Sequence, residues 1–354
     1  MEDIKPLLLG GGRVLKGAGC IRKIGKEASR FAKRVLCVAG DTSWALVKDN
    51  LKYSFDAANI EMVRYRFTGY CTEKTTDEIA SVVKREHTAL VIGIGGGKGL
   101  DAAKLGAMKA HTRVLTVPTS AATCAAYAPL SVLYDEKGAA MGPVFLRDEM
   151  AGVIIDTEII SRSPVRYLKA GIADAMAKEG EMYFSLSHMT EAEKMNLPSL
   201  GLHLAQMNNC KYLSTHPDDP EAVSDLIYTN IVMTGLVSCY AMGSKQLAVA
   251  HAFYDAFTHC YRTQRDTFLH GEIIACAIGV QLRVNGYDQK EIEKIADFFI
   301  SLDLPVTLAD LNIPLDRESI DLLISKIWEI AGVEDPLIRK RISDGVFTVR
   351  GQVD

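Results

Sequence analysis

Three of the eight histidines in this 354-residue chain fall between positions 248 and 271, on or beside apolar helical stretches where an imidazole needs a reason. His251, Asp255 and His259 recur at i, i+4 and i+8, so one helical face presents all three as donors for a metal ion. A second set combines His251 with His270, on the next helix, and a carboxylate from elsewhere. Asp174 is the candidate, a lone acid among small residues in Ala170-Gly171-Ile172-Ala173-Asp174-Ala175-Met176-Ala177-Lys178. A buried aspartate wants a cation. Periodicity does not choose between these sets, and the plain alternative is that these are satisfied core histidines.

A second chemistry lies in Val91-Ile92-Gly93-Ile94-Gly95-Gly96-Gly97-Lys98-Gly99-Leu100-Asp101-Ala102-Ala103-Lys104. An apolar run with β-branched residues passes through a glycine turn into helical composition. The spacing predicts a strand buried on both faces, then a turn that lets backbone N–H groups and a helix dipole approach a pyrophosphate. The spacing is neither G-x-G-x-x-G nor a Walker A loop, since no Ser or Thr follows Lys98. Asp41 closes an earlier strand, where an acid accepts from adenosine ribose hydroxyls and disfavours a 2′-phosphate. A plain helix cap is its alternative role. Thr116, Thr119, Ser120 and Thr123 put hydroxyls at the end of a further strand.

Alternating segments must position these groups. Strands are expected at 5–12, 34–39, 61–65, 89–94, 113–117, 130–134 and 152–156, and helices at 19–32, 42–59, 75–85 and 100–109. That alternation argues for a doubly wound, mainly parallel sheet. After Ser163-Pro164 only helical periodicity remains, broken by loops at Leu197-Pro198-Ser199 and at 216–220. Pro220 opens a helix at a tolerated first position, Gly243-Ser244 caps one over 245–262, and His270-Gly271-Glu272 opens another to Val284. The expected division is an α/β domain over 1–162 and an all-α domain over 163–354, with a cleft between them as the default site.

Composition agrees. The chain is 48% hydrophobic and 24% charged, with net charge −4, so nothing favours nucleic acid or an acidic membrane surface. Residues 1–4 offer no basic leader segment, and no apolar run approaches a membrane span. Eight cysteines without a C-x-x-C pair suit free thiols in a cytoplasmic protein.

Taken together, Gly95-Gly96-Gly97-Lys98 through Asp101-Ala102-Ala103-Lys104, Val117-Pro118-Thr119 through Leu130-Ser131-Val132, Ala170 to Asp174, Ala250-His251-Ala252 and His270-Gly271-Glu272 resemble the iron-containing, or group III, alcohol dehydrogenases. The glycerol dehydrogenase branch fits best, within a dehydroquinate synthase-like architecture. The resemblance implies NAD rather than NADP, and one divalent ion, zinc or ferrous iron, on Asp174, His251 and His270. Asp41, Gly95, Gly96, Gly97, Asp101, Thr119, Thr123 and Ser131 would meet the cofactor. It further implies oxidation of a small alcohol or polyol, with the metal as Lewis acid on the substrate oxygen and hydride passing to nicotinamide C4. Asp255 and His259 become neighbours, with His259 or water as proton acceptor. Homo-oligomers are common in this family.

Two departures touch the substrate. Cys124 stands where glycerol dehydrogenases carry an aspartate, and Glu179-Gly180-Glu181 replaces an aromatic stretch. The segment around Cys124, and Lys178 one turn after Asp174, resemble the hydroxycarboxylate dehydrogenases, where Lys178 would pair with a substrate carboxylate or phosphate. A solvent-facing Lys178 paired with Glu181 is the alternative. A 2-hydroxycarboxylate or glycerol 1-phosphate is thus the alternative substrate. A dehydroquinate synthase-like lyase, separable by its lack of net NAD turnover, is the remote one.

Overall fold

The computed structural model describes residues 8–187, 197–241 and 247–349. Two compact units emerge, one from 1–165 with 218–239 and the other from 166–217 with 240–354. The expected boundary at residue 162 therefore misses the return of 218–239 to the first unit.

The first unit holds a six-stranded sheet. Its strands are β1 (Arg13–Gly17), β2 (Arg34–Ala39), β3 (Glu61–Arg66), β4 (Leu90–Gly95), β5 (Arg113–Pro118) and β8 (Gly152–Asp156). Their order is β1-β8-β5-β4-β2-β3, and every pairing is parallel. Helices α1 (Ile24–Ala28), α2 (Asp41–Ala58), α3 (Glu73–Arg85) and α4 (Gly97–Lys109) supply the crossovers. Ile92 and Ile94 join a core with Val47, Leu51 and Phe55 of α2, while Gly93, on the opposite face of β4, lies against Ala103 and Leu100 of α4. The four inner strands β8, β5, β4 and β2 are covered on both faces, which explains their nearly unbroken apolar runs, while the edge strands β1 and β3 carry charged residues. The chain leaves β2 toward β3 on one side and returns to β4 on the other. The carboxyl ends of β2 and β4 thus flank a topological switch point, where open α/β sheets bind ligands.

Several expectations are corrected. Residues 8–12 form no strand: Gly10 and Gly11 pack against the Tyr127 ring, and pairing starts at Arg13. Residues 5–7 lie outside the described residues, as do residues 1–4 and the supposed cap at Gly243-Ser244. A strand went unpredicted, β7 (Ala140–Phe145), which pairs antiparallel with β6 (Leu130–Tyr134). It contains Pro143, which a two-stranded hairpin tolerates because its edges are open.

Helix α5 (Thr157–Ser161) precedes the long α6 (Val165–Ser187). Leu197-Pro198-Ser199 opens α7 (Leu197–Leu213) rather than a loop, because proline is accepted in a first turn. Asp219 caps α8 (Pro220–Tyr228), which runs through one turn of π-helix into α9 (Thr234–Ala241). This 22-residue run is long and apolar enough to cross a membrane by length and composition, correcting the expectation that none is. Its most apolar window is 56% buried, as in a core helix.

The second unit adds α10 (Val249–Cys260), α11 (Arg262–Arg265), α12 (His270–Asn285), α13 (Gln289–Ser301), α14 (Arg317–Ala331) and α15 (Pro336–Thr348). No strand occurs among its described residues. Helix α10 packs on α12 and α14, and α12 on α15.

Candidate metal centre and dinucleotide cradle

Helices α6, α10 and α12 bring Asp174, His251 and His270 together. Their nearest donor atoms all lie within 4.8 Å of one another. The Asp174 Oδ1 is 3.2 Å from His270 Nε2 and 3.4 Å from His251 Nε2. Donors about 2.0–2.1 Å from a tetrahedral zinc stand roughly 3.3–3.4 Å apart, so this donor set fits a divalent ion. Asp174 is 3% exposed. Burial pushes its carboxyl up, but Lys178, His251 and His270 outweigh burial and hold it well below the usual carboxylate range. The alternative face is not assembled as a cluster: Asp255 and His259 follow His251 on α10, yet the close group takes Asp174 and His270.

Two local devices fix the imidazoles. Helix α10 begins after Ala248, which has no side-chain cap. Its first N–H groups are met instead from other helices. Val249 and Ala250 donate to Gln281 Oε1 at 2.8 and 3.3 Å, and His251 donates to Glu181 Oε1 at 3.0 Å. The same Glu181 meets His251 Nδ1 with both oxygens, at 2.7 and 2.9 Å. A carboxylate there sets the tautomer with Nδ1 protonated, leaving Nε2 as the donor to an ion. Burial lowers the His251 pKa, but Glu181 and Asp174 dominate and raise it to about 9. Sequence reasoning missed Glu181. Its signal was spacing, because Asp174, Lys178 and Glu181 lie at i, i+4 and i+7 and share a helical stripe.

His270 is the first residue of α12. Glu272 accepts from the Leu269 N–H at 2.7 Å and from Arg166 of α6 at 2.5 and 2.7 Å, which ties this helix start to α6. The Tyr254 ring packs edge-on against His270, with centroids 4.1 Å apart.

In the first unit, Gly95 ends β4 with φ +143°, open to glycine and strained for other residues. Its carbonyl accepts from the Thr119 N–H at 3.0 Å. Hydroxyls ring the turn: a Cβ on Gly97 would stand 3.3 Å from Thr123 Oγ1, and one on Gly95 3.2 Å from Ser43 Oγ. Ser43 Oγ is itself 3.4 Å from Thr119 Oγ1. Helix α4 starts behind this ring without a side-chain cap, its N-cap being Gly96. Uncapped N–H groups, small residues and hydroxyls together fit a pyrophosphate.

Asp101 and Ser131 lie in a buried seam between α4 and β6. Asp101 pairs with the fully buried Lys104 at 2.9 Å and accepts from the Val132 N–H at 3.1 Å. Lys104 also donates to the carbonyls of Ala125, Ala128 and Leu130, and Ser131 Oγ donates to the Asp101 carbonyl. These groups hold the loop carrying Thr123. Cys124 is buried, its sulfur 3.7 Å from Ser238 Oγ, and Asn230 in the π-turn donates to the Ala121 carbonyl at 2.9 Å. Asp41 is the first residue of α2 and does not cap it; Gly40 takes that position. Its carboxylate is held by Arg64 and Arg66 of β3.

The chain is similar to known proteins along most of its length. Residues 11–156 match the family described as iron-containing alcohol dehydrogenase. The chain is 30% identical to a glycerol dehydrogenase of Thermotoga maritima, over 85% of this chain and 84% of that one. It is 29% identical to hydroxycarboxylate dehydrogenase A of Escherichia coli, over 82% of this chain and 81% of that one. A solved glycerol dehydrogenase from Schizosaccharomyces pombe superposes with a TM-score of 0.85 at 22% identity, covering 99% of this chain and 91% of that one. The chain belongs to the iron-containing alcohol dehydrogenase family. It is accordingly an oxidoreductase acting on CH–OH groups, with NAD and one divalent metal as cofactors.

Proposed function

We propose that this enzyme oxidises a small polyol of the glycerol type, with Asp174, His251 and His270 holding the divalent ion. The observation that carries the reading is the convergence of one buried carboxylate and two imidazoles within 4.8 Å. That donor set takes zinc or ferrous iron and leaves a coordination position open. Bound there, the ion would supply Lewis acidity toward the substrate C–O group, and the dinucleotide would supply a hydride acceptor.

The chain's own residues do the rest. Glu181 keeps the His251 lone pair directed at Asp174's side of the site. Gly95, Gly96, Gly97, Thr119 and Thr123 hold the pyrophosphate with backbone N–H and hydroxyl donors, and Asp41 lies at the adenosine ribose end. Asp101 and Ser131 support that cradle from behind through Lys104 and β6.

A second substrate class has one observation in its favour. Lys178 stands near enough to Asp174 and His251 to act on the charge of both. A cation beside the metal site favours an anionic substrate, so a 2-hydroxy acid or glycerol 1-phosphate is the rival. We further propose a cytoplasmic homo-oligomer, which fractionation and light scattering test.

The deciding experiment follows NAD reduction by zinc- or iron-loaded protein on glycerol, 1,2-propanediol, glycerol 1-phosphate and 2-hydroxy acids, with and without chelator. Chelator-sensitive turnover of neutral diols, with KM unchanged in Lys178→Met, is the expected result. Turnover confined to the acids or the phosphate, lost in Lys178→Met, replaces the substrate. Turnover indifferent to chelator overturns the metal assignment.

A further inference from the structure

The ribose end of the cradle carries more positive charge than an NAD-selective site needs. Arg64 and Arg66 sit two residues apart on β3 and so share one face of that strand. Arg66 lies beside Ala39, at the end of β2. Both reach Asp41, the residue whose bare carboxylate would accept from ribose hydroxyls and repel a 2′-phosphate. Arg64 Nη2 donates to Oδ1 at 2.7 Å, and Arg66 Nη2 and Nε donate to Oδ2 at 2.5 and 2.9 Å. Two guanidinium groups against one carboxylate leave the cluster at +1.

The cluster is also accessible. The Asp41 side chain is 56% exposed and that of Arg66 67%. Arg64 is held over the Trp44 ring of α2, 4.7 Å from its centroid, so one arginine is placed in advance, while Arg66 is the more exposed of the two. Planar guanidinium forks match phosphate oxygens as well as carboxylate oxygens. An arginine near the acid that ends this strand is how dinucleotide-binding sheets accommodate a 2′-phosphate. The acid that should exclude the phosphate is here already occupied by two groups that attract it.

We propose that this enzyme accepts the 2′-phosphorylated dinucleotide, NADP(H), alongside NAD(H), with Arg64 and Arg66 as the specificity-determining residues. The inference rests on the reading that the β2–β4 switch point holds the dinucleotide. It departs from the expectation that Asp41 favours NAD over NADP.

The test is calorimetric titration of the full-length protein with NADH and NADPH, and with adenosine 2′,5′-bisphosphate against AMP. NADPH is expected to bind within about threefold of NADH or tighter, a difference under 1 kcal/mol. Arg64→Gln combined with Arg66→Gln should weaken NADPH by about tenfold or more, through lost charge-assisted hydrogen bonds, and leave NADH as tight or tighter. Asp41→Asn, which frees both arginines, should strengthen NADPH and serves if the double variant does not fold. NADPH binding more than about tenfold weaker than NADH overturns the inference. So does NADPH binding that neither variant changes. Failure of both dinucleotides to bind overturns the cradle reading itself.

Discussion

Glu181 closes two accounts at once, since one oxygen satisfies an orphan N–H at the start of α10 while both hold the Nδ1 edge of His251. Glu181→Gln keeps the size and one acceptor but removes the charge that favours a single imidazole tautomer. Zinc affinity, read by competition with a chelating dye, should fall about 10- to 100-fold, with the circular dichroism spectrum unchanged. Unchanged affinity would reduce Glu181 to a helix cap. Legibility at this scale followed residue type. Histidines at 251 and 270 stood out because imidazoles are rare on apolar helices. Glu181 did not, because a glutamate three residues from a lysine reads as a solvated pair. The partners of Asp41 were equally hidden: Arg64 and Arg66 come from another strand, and local spacing says nothing about what a neighbouring strand presents.

Between elements, the crossing of α6 and α12 decides whether His270 reaches Asp174. Gly271 lies against Ala170, and a Cβ there would stand 1.8 Å from the Ala170 carbonyl oxygen. Ala170 is one turn before Asp174, so the contact that lets the helices meet also sets the ligand spacing. Gly271→Ala should cost about 1–3 kcal/mol through overpacking, and weaken zinc binding as α12 is pushed away. Denaturant unfolding and metal titration check the two effects, and stability loss without loss of affinity would sink the link. Most of the sheet was legible, because strands buried on both faces read as continuous apolar runs. The parts that misled were those where tertiary contact overrides local composition. Gly10 and Gly11 pack on Tyr127 and Gly12 on the Met150 carbonyl instead of entering a strand, β7 pairs through Pro143, and α10 begins at Val249 with borrowed caps.

Across the molecule, the proposed ligands divide between the compact units, the dinucleotide groups in the first and the metal donors in the second. A ligand that binds only a folded unit stabilises it, by about 2.7 kcal/mol at a hundred times its Kd. Calorimetric scans of the metal-free protein should therefore show NADH raising one transition and zinc raising another. A single transition moved by either ligand would show that the units unfold together.

The first unit is not one continuous stretch of chain, since residues 218–239 return to it from the helical half. They bring Gly235 against the Tyr127 ring, where a Cβ would stand 2.6 Å away, and Asn230 onto the Ala121 carbonyl. Recombination with a relative's gene at a single crossover near codon 165 would take these facing surfaces from different parents. A working chimera needs further breakpoints flanking 218–239, so that this segment is inherited with the loop it supports. Neutral drift in one stretch is likewise tied to drift in the other, though they lie about a hundred codons apart in the gene.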